Sequence, residues 1–189
     1  AAGPVVPTRE WRELYAALDC KAAAMIHPFY AATARQFRAA GRSLLGSAPV
    51  GVEGTAAWLE AMGELLGTDR ASIEAAISTQ KSAIRAALDN NPIDAKITLS
   101  GYEGSELLVA RLLIESGAEV AYVGSACPKT EFSAVDAKWL EAHGVSVKFR
   151  ASLEDDLIAM EAFKPDLVIG TTPIAVSYTH LTLPTTSPV

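Results

Sequence analysis

Cysteine is almost missing from this chain. Cys20 and Cys127 are the only two among 189 residues, and no CxxC pair exists. A disulfide-stapled miniprotein is therefore excluded, and the usage suits a reducing compartment, placing the protein in the cytoplasm. Two thiolates so far apart cannot complete a four-ligand zinc or iron–sulfur site. Positive charge is also short: 16 Lys and Arg stand against 22 Asp and Glu, a formal net charge of −6. Phosphate binding needs a basic stripe, so nucleic acid is excluded as the main partner. The apolar runs are short and broken by charge or glycine, so no segment spans a membrane. Charge itself disappears after Asp166, the last Asp, Glu, Lys or Arg in the chain.

What is present is a core. Half the residues are hydrophobic and 20% are charged, which suits one or two compact domains. Short β-branched runs alternate with helical patterns, the signature of βαβ units on a parallel sheet. Val5-Val6 ends a strand, and Thr8 opens a helix to Leu18 with Trp11, Leu14, Tyr15 and Leu18 on one face. Strands follow at 22–26 and 43–46, with a helix at 30–40 closed by Gly41 between them. Helices are expected at 54–66 and from a Thr68 cap to Leu88. Asn90-Asn91-Pro92 then marks a domain boundary. The second unit reads strand 96–100, helix 105–116, strand 119–124, helix 133–143, strand 145–149, helix 152–163 and strand 166–170. Ser133 with Asp136 and Ser152 with Asp155 both have capping-box spacing. Arg111 and Glu115 are spaced as an i,i+4 pair on a helix surface.

The division is thus 1–92, part of a first Rossmann-like α/β domain with a linking helix, and 93–175, a second such domain, truncated. The chain opens on Ala-Ala-Gly-Pro with no initiator Met or signal peptide, and reads as an excerpt. Val176 to Thr185 (Val-Ser-Tyr-Thr-His-Leu-Thr-Leu-Pro-Thr) resembles the translation of a transposase-type sequencing adapter. Residues 176–189 are accordingly expected to be non-native read-through and carry no weight for fold or function. Ala175 is ambiguous.

Two loops stand where an α/β sheet binds ligands, at strand carboxyl ends. In the first, Gly101 and Gly104 flank Tyr102 and Glu103 ahead of a helix whose free N–H groups favour negative charge. The same residues also make a plain βα turn with a capping carboxylate. The second is Gly170-Thr171-Thr172, which can offer hydroxyls and amides to a ligand or a neighbouring subunit, or be a bland loop. His27 ends a strand before Pro28 and has no second histidine near it in sequence. His143 suits a helix C-terminus, and Trp58 and Trp139 read as packing residues. His27, Tyr102 and Glu103 are therefore the candidate substrate-binding residues. No catalytic residue and no metal ligand is assigned.

Several collinear stretches carry a resemblance: residues 6–19, Ile26-His27-Pro28-Phe29-Tyr30, residues 46–51, residues 100–120, Arg150-Ala151-Ser152-Leu153-Glu154-Asp155-Asp156, and residues 165–173. Together they resemble the Y subunits of chlorophyllide a reductases, nitrogenase-like component 1 oxidoreductases of bacteriochlorophyll synthesis and photosynthesis. The resemblance runs from about residue 3 to residue 174. It implies Rossmann-like three-layer domains with parallel sheets. It also implies pairing with a homologous Z subunit, two pairs forming a heterotetramer. An ATP-dependent iron–sulfur reductase component would deliver electrons through a [4Fe–4S] cluster to the C7=C8 bond of ring B of chlorophyllide a. Cys20 and Cys127 do not fall on the family's ligand motif. The cluster ligands are therefore expected outside these residues, and this segment alone is expected to be inactive. The alternatives are a subunit of another nitrogenase-like tetrapyrrole reductase, such as the dark-operative protochlorophyllide reductase, or a noncatalytic two-lobed small-ligand-binding module.

Overall fold

A computed structural model describes residues 16–24, 31–46, 48–101, 104–171 and 173–174. The first α/β unit contributes a turn of 3₁₀ helix at Ala17–Asp19, strand β1 (Ala22–Ala24), helix α1 (Ala31–Ala39) and strand β2 (Ser43–Leu45). β1 and β2 pair in parallel, Ala22 opposite Ser43 and Ala24 opposite Leu45. A helical hairpin follows, α2 (Gly51–Leu66) and α3 (Arg70–Asp89). The second unit is β3 (Lys96–Gly101), α4 (Glu106–Glu115), β4 (Glu119–Ser125), α5 (Ser133–Ala142), β5 (Ser146–Phe149), α6 (Leu153–Phe163) and β6 (Leu167–Ile169). Among the described residues no helix is long and apolar enough to cross a membrane.

The second sheet is wholly parallel, with strand order β5-β4-β3-β6. A parallel sheet must be covered on both faces, and its strands read accordingly as apolar runs. One face carries Ile97, Leu99, Val120 and Val123, which pack with Leu107 and Ala110 of α4 and Ala137 and Leu140 of α5 into the main core. A register shift between Ile97 and Thr98 leaves Ala121 as an extra residue on β4. This bulge resets the alternation, so Val120 and Val123 share one face while Tyr122 and Gly124 point to the other. There they meet α6, through the Tyr122–Asp156 hydrogen bond.

Helix starts separate what local sequence dictates from what it does not. Ser152 caps α6 as its spacing requires: its hydroxyl accepts from the Asp155 amide while the Asp155 carboxylate accepts from the Ser152 amide. Hydrogen bonds from Lys148, first, and from Ser152 hold the Asp155 carboxyl down at about 2. A carboxyl lowered on folding adds stability above its ordinary range, and that contribution is lost as the pH falls through about 2. Ser152→Ala should lower the denaturation midpoint with unchanged slope, by about 1 kcal/mol of stability.

The other starts depart from local expectation. Asp69, not Thr68, caps α3, accepting from the Ser72 amide at 2.9 Å. A carboxylate one residue nearer the helix wins that role. Ser133 makes no capping box: its hydroxyl is occupied by Thr130, and Asp136 turns inward to Arg111. α2 begins at Gly51, three residues before its apolar pattern, because Glu115 of α4 accepts from the Val52 and Glu53 amides. Gly51 sits at φ +71°, and a β-carbon there would strike that carboxylate. Arg111 and Glu115 therefore do not pair with each other; each is used by a different neighbour.

Candidate functional site

The strand order places a topological switch between β3 and β6. The chain leaves β3 toward β4 and β5, then returns to add β6 on the opposite side of β3. Loops following such adjacent strands diverge and leave a crevice at their carboxyl ends. A cavity of about 440 Å³ lies there, between the end of β3, the first turns of α4, and Gly170-Thr171 after β6. The two loops singled out from sequence, after Ser100 and after Ile169, are thus brought together. Leu99 forms the floor, while Val109 and Ile169, each more than a third exposed, form apolar walls. Ser100, Ser105, Glu106 and Thr171 supply the polar atoms.

Glu106 is the residue that sequence reasoning passed over. It is the first residue of α4 and is buried. The Ser125 hydroxyl, at the end of β4, donates to its Oε2 at 3.2 Å. Its carboxylate stands at the positive end of α4, where a bound anion would otherwise go. The helix end is therefore already compensated from within the chain, and the cleft suits an apolar ligand with polar edges better than a phosphate. Gly101 makes this possible, because a β-carbon there would collide with the Glu106 carboxylate. No local signal marked Glu106, since the same helix also carries Arg111 and Glu115. Gly104, at φ +83°, carries the turn itself.

A smaller cavity of about 250 Å³ adjoins the cleft, sharing Gly101, Thr171 and Pro173 with it. Asp156 of α6 lines this chamber and is 6% exposed. The Tyr122 hydroxyl donates to Asp156 Oδ1 at 2.8 Å. Burial pushes the Asp156 carboxyl above its usual range, against the hydrogen bonding of Tyr122 and Ser100, with the Asp155 charge pushing the same way as burial. Burial and Asp156 in turn push the Tyr122 hydroxyl well up.

His27, Tyr102 and Glu103 lie outside the described residues. Gly101, just before Tyr102, and Ser105, two residues after Glu103, border the cleft. His143 ends α5, its ring stacked on Trp139 with 3.7 Å between centroids. Trp139 packs under Arg111 and donates to Glu53, consistent with a packing role. Cys20 precedes β1 and Cys127 follows β4. Burial, aided by the Glu106 charge and opposed by Ser125, raises the Cys127 thiol, so it is a poor nucleophile and ligand. Among the described residues no three His, Cys, Asp or Glu side chains gather as a metal would require.

A parallel sheet covered on both faces, with a cleft at its switch point, defines a Rossmann-like α/β unit. The chain belongs to the nitrogenase component 1 type oxidoreductases, whose family profile matches residues 2–187. Among curated proteins, the chlorophyllide reductase 52.5 kDa chain of Cereibacter sphaeroides is 62% identical over 184 residues. That of Rhodobacter capsulatus is 60% identical over the same length. Each alignment covers 97% of this chain and 37% of the relative, so the chain spans little more than a third of their length. A solved structure titled Nitrogenase Cp1 at pH 6.5 matches in fold, with TM-score 0.65 at 18% identity, over 96% of this chain and 43% of that one. The resemblance read from the sequence and the three-layer parallel architecture are both borne out. Proteins of this family generally bind iron–sulfur clusters; the described residues offer no set of ligands that fits one.

Proposed function

We propose that this chain is a segment of the catalytic component of a chlorophyllide reductase, which reduces the C7=C8 bond of ring B of chlorophyllide a in bacteriochlorophyll biosynthesis. The observation that carries this reading is the 62% identity to the Cereibacter sphaeroides chain over nearly all of these residues. The cleft agrees chemically. A chlorin is a flat apolar plate with polar edges. Val109, Ile169 and Leu99 offer apolar contact, while Ser105 and Thr171 offer hydroxyls at the rim. The fold positions the pigment and excludes water, while the electrons come from outside this segment.

In this reading the partner is a homologous Z subunit in a heterotetramer of two pairs. Electrons arrive from an ATP-dependent iron–sulfur reductase by way of a [4Fe–4S] cluster whose ligands lie outside the described residues. The location is the cytoplasm. His27, Tyr102 and Glu103 stand as pigment-contact candidates. We further propose 1–92 and 93–175 as separate Rossmann-like units, and 176–189 as read-through that sequencing of the source DNA would replace with another continuation.

The test is reconstitution. The full-length subunit, co-purified with its partner and supplied with the ATP-dependent reductase, should convert chlorophyllide a to a bacteriochlorin, seen as the change from a chlorin to a bacteriochlorin absorption spectrum. Conversion of protochlorophyllide in place of chlorophyllide would overturn the assignment of substrate, and conversion of neither would overturn the reading.

A further inference from the structure

We propose that Asp156 is a proton-supplying residue for reduction of the ligand held in the β3/β6 cleft, acting from the chamber behind it. The inference rests on the chlorophyllide reductase reading for the identity of that ligand. Reducing a ring C=C bond consumes two electrons and two protons. The electrons come from the iron–sulfur reductant outside this segment. A proton donor that stands near the ring, out of bulk water, and can recover its proton serves such a reduction.

Asp156 meets each condition. Among the described residues, it is the only ionisable side chain lining the chamber. The chamber and the cleft share Gly101, Thr171 and Pro173 in their walls, so the carboxyl lines the space next to the ligand site. Its volume of about 250 Å³ is far more than one water needs, so water there can carry the proton. The carboxyl is fixed rather than loose: Tyr122 holds Oδ1 at 2.8 Å. Gly124 gives it room, since a β-carbon there would strike Asp156 Oδ1.

The groups that act on Asp156 are few. From β4 comes Tyr122, from β3 the neutral Ser100, and from its own helix Asp155. Lys148 of β5 is engaged by Asp155 at 2.8 Å. No cation among these neighbours is set to hold Asp156 ionised. Burial is the largest influence and raises the carboxyl above its usual range, which favours the acid form. In the step, the Asp156 O–H bond breaks and a C–H bond forms at one ring carbon through an intervening water. Asp156 is left as carboxylate and takes a new proton from solvent between turnovers. The second ring proton comes from water.

The test uses the full-length subunit in its assembled catalytic complex, with chlorophyllide a. Asp156→Asn keeps an oxygen that can accept from Tyr122 but cannot supply a proton. We expect pigment binding to be retained and the single-turnover rate to fall about 100-fold or more, the scale of general acid catalysis. The decline of the wild-type rate toward alkaline pH should vanish with it. Without any turnover, the infrared spectrum of the wild-type pigment complex should show a protonated-carboxyl band, shifted in D₂O, that Asp156→Asn lacks. Tyr122→Phe removes a hydrogen bond that favours the carboxylate, so the alkaline limb should move to higher pH; this decides the matter even if the asparagine variant does not assemble. A rate for Asp156→Asn within threefold of wild type, an unchanged band, or an unmoved limb in Tyr122→Phe would overturn the inference. Wild-type complex that neither binds nor reduces chlorophyllide would instead overturn the functional reading beneath it.

Discussion

Arg111→Leu should destabilise the fold by about 3–5 kcal/mol, because it leaves a buried carboxylate without its cation. Arg111 of α4 and Asp136 of α5 form an ion pair with side chains only 9% and 11% exposed. The guanidinium also lies 4.8 Å from the centre of the Trp139 ring, so the substitution removes packing as well as charge. Burial already holds the Asp136 carboxyl above its usual range, and Arg111 alone opposes that. A carboxyl raised on folding contributes stability that is complete below its unfolded range and lost as the pH rises through its folded value. Without Arg111 that loss extends to higher pH, so the deficit of the variant should be smallest in acid and grow toward neutrality. The double variant Arg111→Leu/Asp136→Leu should recover most of the loss, since two apolar groups replace a pair whose desolvation is costly. Denaturant titration followed by tryptophan fluorescence and circular dichroism would check this. Simple addition of the two single losses would contradict it.

Gly124→Ala is expected to have the next largest effect. Its β-carbon would overlap Asp156 Oδ1 and lie 2.8 Å from the Tyr122 hydroxyl, inside a closed layer between β4 and α6. Over-packing of this kind costs about 1–3 kcal/mol. Forcing apart the buried Tyr122–Asp156 hydrogen bond adds a further penalty of about 1–3 kcal/mol. The same change in an Asp156→Ala background should cost far less, because the colliding carboxylate is gone. Thermal melts of the four variants in this cycle give the coupling directly; equal costs in both backgrounds would show that the collision is not the cause.

The alternation of strands and helices was legible because each element carries its own period. Ile97 to Leu99 reads as a buried strand, and Leu107 to Ile114 as a helix, without help from distant residues. The cleft was half legible. Parallel topology fixes that ligands meet strand ends, so the loops after Ser100 and Ile169 could be named, but not that β6 would return beside β3. The rest depended on contacts distant in sequence. Asp136 looked like a capping residue until Arg111, 25 positions away, claimed it. Glu115 looked like a partner for Arg111, yet it starts a helix more than 60 positions earlier. Glu106 and Asp156 were silent in sequence because nothing local announces a buried carboxylate; Gly101 and Gly124, which admit them, looked like ordinary turn and strand glycines.

The Glu115 carboxylate at the head of α2 has a consequence for exchange with solvent. The first amides of a helix have no intrahelical acceptor and ordinarily trade hydrogen for deuterium quickly. Here the Val52 and Glu53 amides are held by a side chain that belongs to α4. Their protection is therefore set by how often α4 shifts or opens, not by fraying of α2 itself. The slow amides at the head of α2 become a reporter, read residue by residue, on the stability of a helix that comes three elements later in the chain.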